Sequence, residues 1–221
     1  MTHRLVLATS NEGKVREFQR IWANLPLSLV SVKGLLGKDI YVNEDGDTFA
    51  ENAVKKAEAI ASRVMMLTVA DDSGLEVDAI GGEPGVRSAR YAGEDAKAAD
   101  NNEALIEVLS TKKPDHKDGF RARFRCVLAL IDPLLRDGEP IVVEGACEGR
   151  IVLAPRGTGG FGYDPLFIVD GLEKTMAELS EDEKNSLSHR GKAAERLALV
   201  LEKSIAERDA ITRRVLGQNV S

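Results

Sequence analysis

The stretch Gly157-Thr158-Gly159-Gly160-Phe161-Gly162-Tyr163-Asp164-Pro165 fits the spacing Gly-x-Gly-x-x-Gly, which is typical of a dinucleotide-binding loop. In that fold a strand precedes the loop and a helix begins at its last glycine. Here the residues from Tyr163 to Val169 predict extended chain and include a proline, so no helix is expected to begin there. The match therefore reflects glycine density, and the dinucleotide-binding fold is rejected.

The clearest strand precedes this stretch and covers Phe120 to Ile131. Phe120, Phe124 and Leu128 alternate with Arg121 and Arg125, so one face of the strand is apolar and the other is basic. Further strands are predicted at His3–Ala8, Leu27–Val32, Met66–Ala70, Pro140–Gly149 and Arg150–Ala154, the last two as a meander. The segment Asp71-Asp72-Ser73-Gly74 is expected to end the third strand.

Helices are predicted between these strands. Thr48 and Glu51 form a capping box at the start of a helix that runs to about Arg63, and Ser180 and Glu183 form a second one. The other predicted helices are Lys14–Trp22, Ala96–Ser110 and the region from the second capping box to about Leu216, with a possible break near Gly191. Strands that alternate with helices and then follow one another predict an α/β fold on a mixed sheet.

Length and charge limit the classes of function. The 221 residues show no internal repeat or linker, so residues 1–221 are expected to form a single domain. A net charge of −6 argues against binding to a nucleic-acid backbone, although it does not argue against a local basic pocket for a small phosphate compound.

Cys126 and Cys147 sit in apolar runs and are expected to be reduced and buried. The apolar run Leu5–Ala8 is too short for a signal sequence or a membrane span, so a cytoplasmic protein is predicted.

The turn Thr9–Lys14 lies between the first strand and the first helix. It is not a P-loop, because Ala8 stands where that motif needs its first glycine and Val15 follows Lys14. A helix N-terminus beside a lysine nevertheless suits an anion. The alternative is an ordinary connection with a surface lysine.

Acidic and basic residues at three other places suit phosphate chemistry. One carboxylate of Asp71-Asp72 is expected to face a cleft, where it would hold Mg²⁺ or take a proton from water; a turn cap is the alternative. Glu44 belongs to an acidic cluster, and the alternative interpretation of such a cluster is a solvated loop. The residues Lys184, His189 and Arg190 offer donors to a phosphate or a purine carbonyl, or else lie on a solvated helix.

Taken together, these segments resemble the Ham1/inosine triphosphate pyrophosphatase family. The matching blocks come in the family's order and span about Leu5 to Leu201. They are Leu7–Lys14, Thr48–Ala57, Ala70–Leu75, Gly85–Tyr91, Gly157–Pro165 and Lys184–Gly191. Two features depart from the family pattern: Ser10 replaces a common glycine, and the tail beyond about Lys203 exceeds many relatives.

The resemblance implies an α/β fold with an elongated mixed β-sheet flanked by helices, two lobes with a cleft between them, and a homodimer. It implies a Mg²⁺-dependent enzyme that hydrolyses non-standard purine nucleoside triphosphates (ITP, dITP, XTP, dXTP) to the monophosphate and pyrophosphate, cleansing the nucleotide pool. Two other functions stay open at this point. One is a related pyrophosphatase that acts on other modified nucleotides, and the other is a non-catalytic nucleotide sensor.

By position, the resemblance makes Asp72 the catalytic carboxylate, as metal ligand, as base, or as both, and Glu44 a second metal ligand. It places the remaining residues around the substrate. These are Thr9, Ser10, Asn11, Glu12, Gly13, Lys14 and Lys56 at the triphosphate, Ser73 beside Asp72, and Phe161, Gly162, Tyr163, Asp164, Lys184, His189 and Arg190 at the base.

Overall fold

A computed structural model describes residues 3–135 and 138–215. Within these residues six strands form one sheet in the order β2-β1-β3-β4-β5-β6. The strands are β1 (His3–Leu7), β2 (Leu27–Ser31), β3 (Thr68–Val77), β4 (Phe120–Ile131), β5 (Ile141–Ile151) and β6 (Phe167–Val169). Strand β1 is parallel to β2 and β3, whereas β3 to β6 are antiparallel. The predicted mixed sheet of an α/β fold is confirmed.

Helices cover both faces of this sheet. They are α1 (Glu12–Ile21), α2 (Val32–Leu36), α3 (Phe49–Val64), α4 (Ala98–Ser110), α5 (Glu181–Leu187) and α6 (His189–Val215). Helix α3 packs on β3 and β4, and α6 packs on β4 and β5. Both predicted capping boxes are present, at the starts of α3 and α5. Within the described ranges, no helix combines the length and apolar character that crossing a membrane requires.

Strand β4 has the bounds and the two faces that its sequence predicted. Its apolar side chains are buried, and the guanidinium groups of Arg123 and Arg125 pair with carboxylates on β3 and β5, among them Glu76. Both cysteines are buried and free. Because β4 is long, its first half belongs to one hydrophobic core, around Phe120, and its second half to two others, around Leu128 and Ala129. The sheet therefore passes through two lobes, which meet near the middle of β3.

Two strand predictions were wrong because pairing overrode local sequence signals. Strand β3 does not end before Asp71; it continues to Val77, since every residue from Thr68 to Val77 has a partner on β4. The predicted meander at residues 140–154 is a single strand, β5, which pairs with β4 from Ile141 to Ile151.

The break in the C-terminal helical region that was predicted near Gly191 is present. The helix breaks at Ser188, before Gly191, so Lys184 lies on α5 whereas His189 and Arg190 open α6. Gly191 does not break the helix. A Cβ at this position would lie 1.9 Å from the Asn185 carbonyl oxygen, so glycine allows α5 and α6 to approach each other closely. The predicted helix end at Leu216 lies outside the described residues. Helix α2 and the short 3₁₀ helix Gly85–Arg90 were not predicted.

Candidate active site

A cleft of about 440 Å³ lies where the two lobes meet. Its walls come from the start of α1, the acidic loop before α3, α3 itself, the middle of β3, the Gly157–Pro165 loop and the α5–α6 junction. The lining includes Thr9, Ser10, Asn11, Lys14, Glu44, Lys56, Asp72, Ser73, Phe161, Gly162, Tyr163, Asp164, Lys184, His189 and Arg190. The structure thus brings together every candidate residue except Glu12 and Gly13.

Glu12 and Gly13 occupy the first turn of α1 but do not line the cleft. The Asn11 side chain caps this turn, because its Oδ1 accepts hydrogen bonds from the backbone N–H groups of Gly13 and Lys14, at 2.9 and 3.2 Å. These N–H groups are therefore already engaged. A Cβ on Gly13 would approach the Phe161 ring to 3.3 Å, so this glycine lets the ring pack against α1.

Asp71 and Asp72 point to opposite sides of β3, as extended backbone requires. Asp72 faces α3 and the cleft. Its Oδ2 accepts a hydrogen bond from Asn52 Nδ2 at 3.1 Å, and its Oδ1 accepts one from the Ser73 N–H at 3.0 Å. Burial raises the pKa of Asp72, although the neighbouring charge of Lys56 opposes the rise.

Lys56 connects the two carboxylates proposed as metal ligands. Its Nζ lies 2.8 Å from Glu44 Oε2 and 3.9 Å from Asp72 Oδ1. Burial alone would lower the pKa of Lys56, but the carboxylates of Asp71, Glu44 and Asp72 raise it. Lys56 therefore stays charged between two acidic groups from different parts of the chain.

Asp71 lies beneath the cleft and is fully buried. Its carboxylate is 2.7 Å from Lys14 Nζ and 3.6 Å from Arg190 Nε, and it accepts a hydrogen bond from Ser73 Oγ at 3.1 Å. Burial alone would raise the pKa of Asp71, but Lys14 and Arg190 hold it well below its usual range. Asp71 thus anchors both Lys14 and Arg190.

The Gly157–Pro165 loop forms the far wall of the cleft. Asp164 Oδ2 accepts hydrogen bonds from the Phe161 N–H and from Lys184 Nζ, both at 2.8 Å. The first bond folds the loop back on itself, and the second ties the loop to α5. Gly160 has φ +70°, and a Cβ there would lie 2.1 Å from the same carboxylate oxygen. Tyr163 is buried and donates its hydroxyl hydrogen to the Ser88 carbonyl at 2.8 Å, so this ring supports the wall from behind.

The cations of α5 and α6 converge on the Phe161 ring. Lys184 Nζ is 4.5 Å and Arg190 Cζ 5.3 Å from the ring centroid, distances at which cation–π attraction operates. Both cations share one counterion, Glu17 of α1, which bonds Lys184 at 3.0 Å and also contacts Arg190. Arg190 also donates to Ser73 Oγ at 3.1 Å.

His189 is buried at the start of α6 and stacks on Phe124, with 4.8 Å between the ring centroids. Burial and the nearby Arg190 lower its pKa well below the usual range, so the imidazole is neutral at physiological pH. Its Nδ1 has no hydrogen-bond partner among the described residues. A neutral aromatic ring that lines the cleft suits contact with a bound base.

The residues described here contain no group of three or more His, Cys, Asp or Glu side chains able to enclose a metal ion. Two carboxylates do converge, since Glu44 and Asp72 both lie within reach of Lys56 Nζ. Mg²⁺ in nucleotide enzymes is commonly held by one or two carboxylates together with water and substrate phosphates. The donor set therefore fits that kind of metal site.

Three residues of this network were not predicted from the sequence: Asn52, Asp71 and Glu17. Asn52 carried a signal, because an asparagine interrupts the apolar stripe of α3 at a position that must be buried. Asp71 was noticed only as one of an adjacent pair. Glu17 gave no signal, because its partners Lys184 and Arg190 are far away in the sequence.

The chain belongs to the Ham1 family, whose sequence model matches residues 5–200. It is 48% identical over 198 residues to a protein of Desulforamulus reducens named dITP/XTP pyrophosphatase, covering 90% of this chain and 95% of the relative. A Geobacillus kaustophilus protein of the same name is 50% identical over 198 residues, covering 87% and 91%. The structure of a HAM1 protein from Coxiella burnetii superposes with a TM-score of 0.80 at 40% identity, covering 91% of this chain and 99% of that one. The family resemblance and the predicted fold are thus confirmed.

Proposed function

We propose that this protein hydrolyses non-standard purine nucleoside triphosphates, such as dITP and XTP, to the monophosphate and pyrophosphate. One observation carries the proposal: a single cleft joins carboxylates and lysines suited to phosphates with an aromatic and cationic wall suited to a purine. The relatives' name, dITP/XTP pyrophosphatase, agrees with the activity predicted from the sequence. At about 440 Å³, the cleft is in the range of roughly 300–1,000 Å³ typical of small-molecule sites.

The triphosphate is assigned to the end of the cleft formed by Thr9, Lys14, Lys56 and Asp72. Glu44 and Asp72 would hold a divalent cation, which we propose to be Mg²⁺. When bound, such an ion neutralises charge on the phosphoryl oxygens. Lys14 and Lys56 add positive charge from the two sides of β3, and the Ser73 hydroxyl lies between Asp71 and Arg190.

Hydrolysis requires a water molecule to supply a hydroxyl group as the bridging P–O bond between the α- and β-phosphates breaks. Asp72 is the proposed acceptor of the proton released by that water. Without a bound metal, burial raises the pKa of this carboxylate, a change that favours proton acceptance. Asn52 and the Ser73 N–H orient the carboxylate, so that its proton-accepting oxygen has a fixed direction.

The base is assigned to the opposite wall, at Phe161 and His189. Hypoxanthine and xanthine carry a carbonyl at position 6, where adenine carries an amine. Lys184 and Arg190 are donors without any acceptor, so they favour a carbonyl and leave an amine mispaired. Such a mispaired buried donor supports strong discrimination between substrates.

A pyrophosphate-release assay over dITP, ITP, XTP, ATP, GTP and dTTP, with and without Mg²⁺, tests this function. We expect release from dITP, ITP and XTP to exceed release from ATP, and to depend on Mg²⁺. Preferred release from dTTP would indicate another nucleotide class, and binding of ITP without any release would indicate a sensor.

Asp72→Asn tests the catalytic carboxylate. We expect the variant to fold and to lose turnover by about 10²–10⁴-fold, the usual contribution of a general base. The control is Asp45→Asn, which removes an exposed charge next to Glu44 in the same loop. Near wild-type turnover by Asp72→Asn would exclude the essential role.

We also propose a homodimer in the cytoplasm, without nucleic-acid or membrane partners. The family resemblance supports the dimer, and the net charge of −6 argues against a nucleic-acid partner. Light scattering of the purified chain would measure its mass against twice 23.9 kDa.

A further inference from the structure

Asn52 is a buried amide on the apolar face of α3. It is 1% exposed, and its neighbours on this face include Phe49, Ala53 and Ala57. A buried amide is tolerated only when its donors and acceptor are satisfied. The contacts of Asn52 therefore show what this residue holds in place.

Two of these contacts reach the backbone of Gly46, in the acidic loop before α3. Asn52 Oδ1 accepts a hydrogen bond from the Gly46 N–H at 2.8 Å, and Nδ2 donates to the Gly46 carbonyl at 3.4 Å. The N–H of Gly46 identifies the oxygen end of the amide, and the NH₂ group at the other end has two hydrogens, one of which is directed at β3. There it donates to Asp72 Oδ2 at 3.1 Å.

The approach to Gly46 is close enough to exclude any side chain at that position. A Cβ on Gly46 would lie 2.8 Å from Asn52 Oδ1 and 2.9 Å from Glu51 Cβ. Glu44 is two residues before Gly46, so the position of its carboxylate depends on this contact. Asn52 thus connects the segment carrying Glu44 to the strand carrying Asp72.

Lys56 lies one helical turn after Asn52 and forms ion pairs with both Glu44 and Asp72. Its charge attracts both, but an incoming phosphate competes for a lysine. The Asn52 amide is neutral and stays with Gly46 and Asp72. Of these two residues of α3, Asn52 is therefore the one suited to hold the carboxylates in the bound state.

We propose that Asn52 is a positioning residue that sets the separation and orientation of Glu44 and Asp72, and with them the affinity of this pair for a divalent cation. The inference deepens the proposed function and rests on its assignment of these carboxylates. Removing a hydrogen-bond partner that orients metal ligands typically weakens metal affinity or activity by about 10–100-fold.

The test uses Mn²⁺, which prefers the same oxygen ligands as Mg²⁺ and is detected when free by electron paramagnetic resonance. Nucleotide-free wild type, Asn52→Leu and the control Thr48→Ala are titrated, and their melting temperatures are recorded. Leucine has a similar size but no hydrogen bonds. Thr48→Ala weakens the start of the same helix by removing its cap, without touching Asp72. We expect the Mn²⁺ dissociation constant to rise roughly 10–100-fold for Asn52→Leu and to stay unchanged for Thr48→Ala.

Gly46→Ala is a second variant for the case in which Asn52→Leu does not fold. It displaces the same contact from the loop side, and its Mn²⁺ affinity should fall in the same direction. Unchanged Mn²⁺ affinity in a folded Asn52→Leu or Gly46→Ala variant overturns the proposal, as does a wild type that binds no Mn²⁺. The titration contains no nucleotide, so its outcome is independent of the pyrophosphate-release assay. An absence of release in that assay would refute the proposed function without deciding the role of Asn52.

Discussion

Replacement of Glu17 by glutamine should destabilise the protein more than any surface charge change. Glu17 is the shared counterion of Lys184 and Arg190, and its side chain is 14% exposed while that of Arg190 is 2% exposed. Breaking a buried ion pair costs about 3–5 kcal/mol, because the remaining charge is left uncompensated. Asp164 still pairs with Lys184, and Asp71 lies 3.6 Å from Arg190, so the lower value of about 3 kcal/mol is expected.

For a chain of this size, about 1 kcal/mol shifts the melting temperature by roughly 2–4 °C, so Glu17→Gln should melt about 6–12 °C below wild type at pH 7. The control is Glu181→Gln, which removes the exposed partner of Arg20 and should change the melting temperature by less than about 2 °C. Adding Arg190→Met to Glu17→Gln should recover part of the loss, because the buried guanidinium that lost its nearest counterion disappears.

The dependence on pH provides a further check. Burial alone would raise the pKa of Glu17, but Arg190 and Lys184 lower it below its ordinary value of 4.5. The ionised carboxylate therefore adds stability above about pH 4.5, and this contribution is lost as the pH falls through the lower folded-state pKa. The stability difference between wild type and Glu17→Gln should shrink over that acid range. Equal melting temperatures at pH 7 would refute this account of the network.

Two further predictions concern the cleft. Gly145→Ala should lower the ratio of kcat/KM for ITP to kcat/KM for ATP. The new Cβ would lie 2.3 Å from the His189 carbonyl oxygen and would displace the start of α6. An unchanged ratio would show that this close approach does not position the wall at which the base binds. Lys56→Met should move the acid limb of the profile of kcat/KM against pH to higher pH, because the lysine charge lowers the pKa of Asp72. An acid limb that stays in place or moves to lower pH would contradict the assignment of Asp72 as the proton acceptor.

The sequence predicted the elements whose signals are local. The capping boxes at Thr48 and Ser180 are short-range chemistry, and the alternation in β4 needs no knowledge of its neighbours. The extent of β3 was missed, because Asp, Ser and Gly favour turns in isolation. In the fold, pairing with β4 outweighs that preference and carries Asp71 and Asp72 into the strand.

The candidate site likewise contains some residues that the sequence predicted and others that it did not. Resemblance of short blocks located Lys14, Lys56 and Asp72, and the cleft brings them together. The network that holds them depends on contacts that no local pattern shows, such as Asn52 with Asp72, 20 residues apart, and Glu17 with Arg190, 173 residues apart. Such partners are found only when packing brings distant elements to one place.

The cations that line the cleft are each already paired with a carboxylate. The pairs are Lys14 with Asp71 at 2.7 Å, Lys56 with Glu44 at 2.8 Å, Arg90 with Glu94 at 3.6 Å, Lys184 with Asp164 at 2.8 Å, and Arg190 with Glu17. This pairing avoids buried uncompensated charge in a protein of net charge −6. A triphosphate must therefore compete with carboxylates for every cation that it meets. If Glu44 and Asp72 held a divalent cation, Lys56 would lose its two ion-pair partners and would be more available to a phosphate. The charge of Lys56 therefore favours a metal–nucleotide complex over the nucleotide alone.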